Sequence, residues 1–207
     1  GINRAIVNIG GIANVTYLPG DTAATVIGFD TGPGNTLLDQ WVAQHQGRLH
    51  DRDGNWAASG KVIHKLLERL LDDEYFGRAA PKSTGREHFH PGWLRHHLSG
   101  NEAPEDVQAT LAELTTRSIA EAIHGLLPGT TDEVYVCGGG AHNTDLLRRL
   151  RARLGDTPLA TTQALGIDPD WVEAIAFAWL AHQTLAGHPG NLPSVTGARR
   201  AVVLGGI

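Results

Sequence analysis

The stretch VIGFDTGPGN, residues 26–35, is where the chain changes its period. Up to Asp30 the residues run as in an apolar strand. From Asn35 onward Leu37, Leu38, Trp41, Val42 and His45 recur at helical spacing. Between the two lie Thr31, Gly32, Pro33 and Gly34. A lone carboxylate at a strand end, ahead of glycines and a helix start, has two readings. Asp30 either satisfies local amides as an Asx turn or helix cap, or acts as a general base while amides of the following helix face an anion.

Upstream, the spacing predicts strands at Arg4–Ile9, Asn14–Leu18 and Ala24–Asp30, separated by GGIA and PGDT as in a β-meander. Downstream, residues 48–104 read as an insertion. In it DRDGNWAASG is loop-like, Lys61–Leu71 is a helix with Val62, Leu66, Leu67 and Leu70 on one face, and AAPKSTGREHFHPGW is a polar loop. Glu105–Leu127 predicts a long amphipathic helix ended by Pro128 and Gly129. EVYVCGGG then reads as a strand entering a glycine turn, Asn143–Leu154 as a helix and TPLATT as a short strand. Pro169–Leu185 reads as an apolar helix with Pro in its first turn. The order β-β-β-α-(insertion)-α-β-α-β-α predicts an α/β fold over residues 1–207. It is the layout of a ribonuclease H-like domain, the unit duplicated in sugar kinases, actin and Hsp70-type ATPases, with a mixed five-stranded sheet flanked by helices. Such a topology fixes no function.

A chain of 207 residues, 41% of them hydrophobic, is long enough to fill a sizeable core. The formal net charge of -5, with basic residues clustered no further than pairs such as Arg148-Arg149, argues against nucleic acid as a partner. One cysteine, Cys137, leaves no intrachain disulfide, and no apolar run reaches the ~20 residues of a membrane helix. A cytoplasmic setting is expected, with no membrane partner. The opening GINRAIVNIGG has no secretory signal and no initiator Met, and reads as the middle of a protein.

Four further motifs carry chemistry or its bland equivalent. Gly10 and Gly11 in NIGGIANV allow amides to approach an anion, or form a tight hairpin turn and nothing more. CGGGAHN has neither the GxGxxG spacing nor a P-loop lysine. Its glycines suit close backbone approach to a ligand at a strand's carboxyl end, or tight packing, with Cys137 a small buried residue. Glu173, in the first turn of the apolar helix, either stabilises the helix start or faces a ligand. Lys82, Ser83, Thr84 and Arg86 share one loop that suits an anion or a sugar, or plain solvent. The eleven histidines lack zinc-site spacing: His88, His90, His96 and His97 read as surface or loop residues, and no metal ligand is assigned.

Together NIGGIANV, GFDTGPGN, DRDGNWAASG, PKSTGRE, DVQATLAELT, VCGGGAHN, WVEAIAFAWLA and GNLPSVTGA resemble the bacterial anhydro-N-acetylmuramic acid kinases, almost from end to end of the chain. The resemblance implies ATP and Mg²⁺ as cofactors and an amino sugar, 1,6-anhydro-N-acetylmuramic acid, as the small-molecule substrate. The product is N-acetylmuramic acid 6-phosphate, formed in cell-wall recycling. It implies that Asp30 is the general base that activates water against the anomeric carbon. It further implies that Gly10 and Gly11 form a phosphate-contacting turn, that Gly138, Gly139, Gly140 and Asn143 form the nucleotide-side turn, and that Glu173 is a substrate-proximal acid. The Gly-Thr-Ser-x-Asp-Gly, Asp-Phe-Arg and Gly-Gln-Gly-Ala-Pro segments of such kinases do not occur here. The 207 residues alone are therefore expected to be inactive. Two other readings stay open: a non-catalytic nucleotide-binding or assembly module of the actin-like superfold, and an inactive fragment. A homodimer is compatible with any of them.

Overall fold

The computed structural model describes residues 1–205. Strands β1 (Arg4–Ile9), β2 (Ile12–Leu18) and β3 (Ile27–Pro33) form an antiparallel meander. Strands β4 (Glu133–Cys137) and β5 (Leu159–Thr161) extend it in parallel, in the order β3-β2-β1-β4-β5. This mixed five-stranded sheet is the ribonuclease H-like arrangement expected from the element order. Strand β1 alternates strictly: Ala5, Val7 and Ile9 are buried, while Arg4, Ile6 and Asn8 are only partly covered. One face of the sheet is therefore core and the other is open.

The core face is covered by α1 (Thr36–Gln46), α6 (Pro104–Gly125) and α7 (Thr144–Leu154). Helix α6 starts at Pro104, whose missing N–H is no loss at a first helical position. It buries Leu111, Leu114, Ile119 and Ile123 with a series of small polar residues. Those hydroxyls are satisfied by backbone: Thr110 donates to the Asp106 carbonyl at 2.7 Å and Thr116 to that of Ala112 at 3.0 Å. Thr115 donates to the carbonyls of Pro33 and Gly34, each at 3.0 Å, and so fixes the junction that follows β3. On the α6–α7 seam Glu113 accepts from Arg149 (2.7 Å) and Arg153, while Asp145 accepts from Arg149 at 2.6 Å. Burial alone would raise the Glu113 carboxyl. Hydrogen bonds from the two arginines outweigh it and hold the group below its ordinary value.

Several expectations need correction. β3 lies three residues further on than its apolar run implied, because Asp21 takes the Ala23 amide into a local turn (2.9 Å) and the pairing with β2 continues to Pro33. DRDGNWAASG is helical: a short 3₁₀ turn (Arg52–Gly54) leads into α2 (Asn55–Ser59), whose Trp56 and Ala57 amides both donate to the Asp51 carboxylate at 2.9 Å. The helix expected from Lys61 begins at His64, giving α3 (His64–Leu71). It is followed by the short α4 (Glu74–Gly77) and by α5 (Pro91–His97). Leu66, Leu70, Tyr75, Phe89 and Leu94 from residues 48–104 are buried in the same core as the sheet. Pro169 lies outside its helix, since α8 (Val172–Leu185) starts later and the Pro169 carbonyl accepts the Gly138 amide at 3.1 Å. Helix α8 buries none of its residues; Phe177 is 69% exposed and Trp179 52%. The last helix among the described residues is α9 (Pro193–Thr196), whose Val195 lies over Gly28 of β3. Among the described residues no helix is long and apolar enough to cross a membrane.

Candidate functional site

Asp30 is not at the end of its strand. It pairs with Asn14 on β2, and the register shifts immediately beyond it, so that Gly32 pairs with Ala13 and Thr31 is left over as a bulge. Thr31 turns inward, its hydroxyl donating to the Ala13 carbonyl at 3.3 Å, while Asp30 stays on the open face. Pro33 is tolerated here because β3 is an edge strand. Gly32 makes room for Phe76 rather than for a ligand: a Cβ there would meet the Phe76 ring at 2.8 Å.

The Asp30 carboxylate is held from the 81–84 loop. Ser83 Oγ donates to Oδ2 at 3.1 Å and the Thr84 amide donates to the same oxygen at 3.0 Å. A cavity of about 400 Å³ opens beside it, lined by Asn14, Thr16, Asp30, Lys82, Ser83 and Thr196 among others.

The glycine turns lie at the carboxyl ends of β1 and β4. Gly10 and Gly11 connect β1 to β2, and their carbonyls accept the amides of Gly34 (3.0 Å), Asn35 (2.8 Å) and Thr36 (3.0 Å). The helix-start amides expected to face an anion are therefore committed to the hairpin. Any anion here must be met by the turn's own amides or by Arg86, whose guanidinium would lie 2.8 Å from a Cβ on Gly11. Gly34 permits this closeness, since a Cβ would stand 2.4 Å from the Gly10 carbonyl oxygen. Gly138, at φ 75°, turns the chain out of β4 in a region open mainly to glycine, and a Cβ there would strike Asn8 Oδ1 at 2.2 Å.

Gly139 and Asn143 border a second cavity, of about 480 Å³, together with Asn35, Asp39, His50 and Asp51. Asn143 Oδ1 is committed to capping α7 through the Leu146 amide at 3.0 Å. Burial pushes the Asp39 carboxyl up to about 6, against the opposing charges of His50 and Arg86. Gly140 packs on Ile9 and does not reach the cavity.

Glu173, in the first turn of α8, accepts a 3.1 Å hydrogen bond from Asn8 Nδ2 on β1. Asn8 pairs with Asn14 on one side and Cys137 on the other, and Asn14 pairs with Asp30. Directly opposed residues share a face. Asp30, Asn14 and Asn8 thus form a polar row across adjacent strands, about 4.8 Å apart per step, that ends on Glu173. Asn8 Oδ1 is buried and, among the described residues, has no hydrogen-bond partner. Cys137 is buried as expected, and burial, followed by the charge of Glu173, pushes its thiol up to about 11.

Residues 2–207 match the protein-family profile described as anhydro-N-acetylmuramic acid kinase. The chain belongs to this family. Curated relatives carrying the name anhydro-N-acetylmuramic acid kinase include those of Chromohalobacter salexigens (58% identical over 208 residues, 99% of this chain and 56% of the relative) and Shewanella loihica (56% over 209 residues, 100% and 56%). One from Coxiella burnetii is 51% identical over 206 residues, 99% of this chain and 55% of the relative. The chain spans about half the length of the curated relatives it matches. Among solved structures, the activator of 2-hydroxyisocaproyl-CoA dehydratase from Clostridium difficile with bound ADPNP is similar at TM-score 0.49 and 17% identity, over 81% of this chain and 55% of that one.

In this member of the anhydro-N-acetylmuramic acid kinase family, the residues singled out from sequence fall into two groups. Gly10, Gly11, Gly138, Gly139, Asn143 and, through Asn8, Glu173 gather around the ends of β1 and β4. Asp30 stands two strands away on the same open face, beside its own cavity. Asn8, Asn14 and Asp39 escaped sequence reading. Asn8 and Asn14 had one local signal, an apolar–polar alternation that places both on the face opposite Val7 and Val15.

Proposed function

We propose that this chain carries the base and the nucleotide-side turns of an anhydro-N-acetylmuramic acid kinase. The observation that carries the reading is Asp30: a carboxylate on the open sheet face, one oxygen held by two donors, beside a cavity of about 400 Å³. The cavity suits a monosaccharide, with Asn14, Thr16 and Thr196 as hydroxyl partners. Asp30 takes a proton from water as the water oxygen bonds to the anomeric carbon. The electron pair of the broken C1–O6 bond passes to O6, which takes the γ-phosphoryl group of ATP, and ADP leaves with the electrons of the cleaved phosphoanhydride. Phosphoryl transfer needs positioning and charge neutralisation more than covalent help.

The second cavity, beside Gly139, suits the nucleoside, and the Gly10–Gly11 turn with Arg86 suits the phosphates. Magnesium is commonly held by one or two carboxylates with phosphate oxygens and water, and there it neutralises phosphate charge. Among the described residues no group of three ligating side chains stands ready for a metal. The orphaned Asn8 Oδ1 and the Glu173 carboxylate are the oxygens that fit its hydration shell.

The test is ADP release, with and without the anhydro-sugar, by a protein of the relatives' full length carrying this chain, run in ¹⁸O-water. Sugar-dependent release with label on C1 of the product is expected. ADP release indifferent to the sugar would favour a nucleotide-binding module instead. The 207-residue chain alone is expected to give no sugar-dependent ADP release, because the Gly-Thr-Ser-x-Asp-Gly segment is not in it.

A further inference from the structure

The 81–84 loop lies more than fifty residues from Asp30 in sequence, yet it makes most of the contacts that orient that residue. Asp30 N donates to the Lys82 carbonyl at 3.1 Å, and Asp30 O accepts from Tyr75 Oη at 2.6 Å. Oδ2 accepts from both Ser83 Oγ and the Thr84 amide. Among the described residues no protein donor reaches Oδ1, so three of the four polar backbone and side-chain atoms of Asp30 are taken and one is free. The loop is fastened in turn: Lys82 Nζ donates to the carbonyls of Tyr75 and Phe76, each at 3.1 Å, and stands 4.8 Å from the centre of the Tyr75 ring. Tyr75 is fully buried, packed edge-on against Phe76 and Phe89. The anchor is therefore rigid, and Ser83 is the exposed tip that touches the carboxylate.

We propose that Ser83 is a positioning residue for the base. Its hydroxyl and the Thr84 amide hold Oδ2 of Asp30 against the 81–84 loop, so that Oδ1 is the oxygen that receives the proton. This rests on Asp30 being the base. A carboxylate on a short side chain rotates about its Cβ–Cγ bond unless one oxygen is tied, and a rotated base loses alignment with the water it must deprotonate. Misplacement on that scale costs on the order of 10-fold to 10²-fold in rate. Ser83 has no contact that would make it matter to the core: it is exposed and, among the described residues, its side chain donates only to Asp30.

The experiment compares Ser83→Ala, Ser83→Thr and Asp30→Asn in a protein of the relatives' full length carrying this chain, with steady-state kinetics for ATP and anhydro-sugar and a thermal melt for each. The expected result is about a 10-fold fall in kcat for Ser83→Ala, with KM for ATP and the melting temperature unchanged, and recovery of most of the rate in Ser83→Thr. Unchanged kcat in Ser83→Ala overturns the proposal. So does a loss that Ser83→Thr fails to restore, or one shared equally with KM for ATP. If Asp30→Asn keeps the normal rate, it is the reading of Asp30 as base that fails. If Asp30→Asn is inactive and Ser83→Ala is normal, the base stands and only the role of Ser83 is lost.

Discussion

The two faces of the sheet are built from the same strands by strict alternation, yet they do opposite things. On one, Val7, Ile9, Val15 and Val136 are buried in one cluster with Leu37, Leu114 and Leu146. On the other, Asn8, Asn14 and Asp30 stand in a row which, among the described residues, is met by the 81–84 loop, the start of α8 and Val195 of α9. A parallel or mixed sheet usually buries both faces under helices. Here the helix on the open side, α8, is the most apolar in sequence and buries nothing. The difference teaches that hydrophobicity places a residue in a helix but does not say what the helix covers. In this molecule the packed core lies on one side of the sheet and the proposed chemistry on the other.

The largest effect on folding should come from the covered face. Leu114→Ala removes a fully buried side chain and should cost about 2–5 kcal/mol, read by denaturant unfolding of the 207-residue chain. A loss as small as a surface substitution would mean that α6 is not seated on the sheet as described. The next effect lies on the α6–α7 seam. Arg149→Ala strips a cation from two carboxylates, one of them, Asp145, buried. It should cost about 2–3 kcal/mol, less than a wholly buried pair because Glu113 keeps Arg153.

The same seam has a pH signature. The folded Glu113 carboxyl is held below its ordinary value of 4.5, so its contribution is complete above that pH and is lost as pH falls through the lower folded value. Stability measured as pH falls from neutral to below 4.5 should therefore drop less steeply in Glu113→Gln than in the parent. An equally steep drop would show that other carboxylates carry the acid sensitivity. The smallest effect belongs to α8. Phe177→Ser should change stability by no more than about 0.5 kcal/mol, since the side chain is 69% exposed. A larger loss would show that α8 is docked and that the open face is not open.

Elements governed by local pattern were readable without coordinates. Alternation in RAIVNI marked β1, the recurrence of Leu37, Leu38, Trp41 and Val42 marked α1, and a long apolar stripe running up to Pro128 and Gly129 marked α6. What escaped depends on partners remote in sequence. Thr31-Gly32-Pro33 reads as a turn until Ala13 and Ile12 are placed beside it as strand partners. Asn55–Ser59 has no helix signal of its own because its cap, Asp51, stands outside the usual window. The ties from Ser83 to Asp30 and from Asn8 to Glu173 span 53 and 165 residues, and no periodicity reports them. Asp30 itself was visible as a candidate, but its environment was not: it is a mid-strand residue beside a bulge, with one carboxylate oxygen tied to Ser83 and Thr84.

The central claim is that the open face works through Asp30. It is tested most directly by Asp30→Asn in a protein of the relatives' full length carrying this chain, with turnover of the anhydro-sugar and ATP affinity measured on the same sample. Loss of turnover by about 10²-fold to 10⁴-fold, with ATP affinity and melting temperature unchanged, is the result predicted. Turnover near that of the parent protein would contradict it.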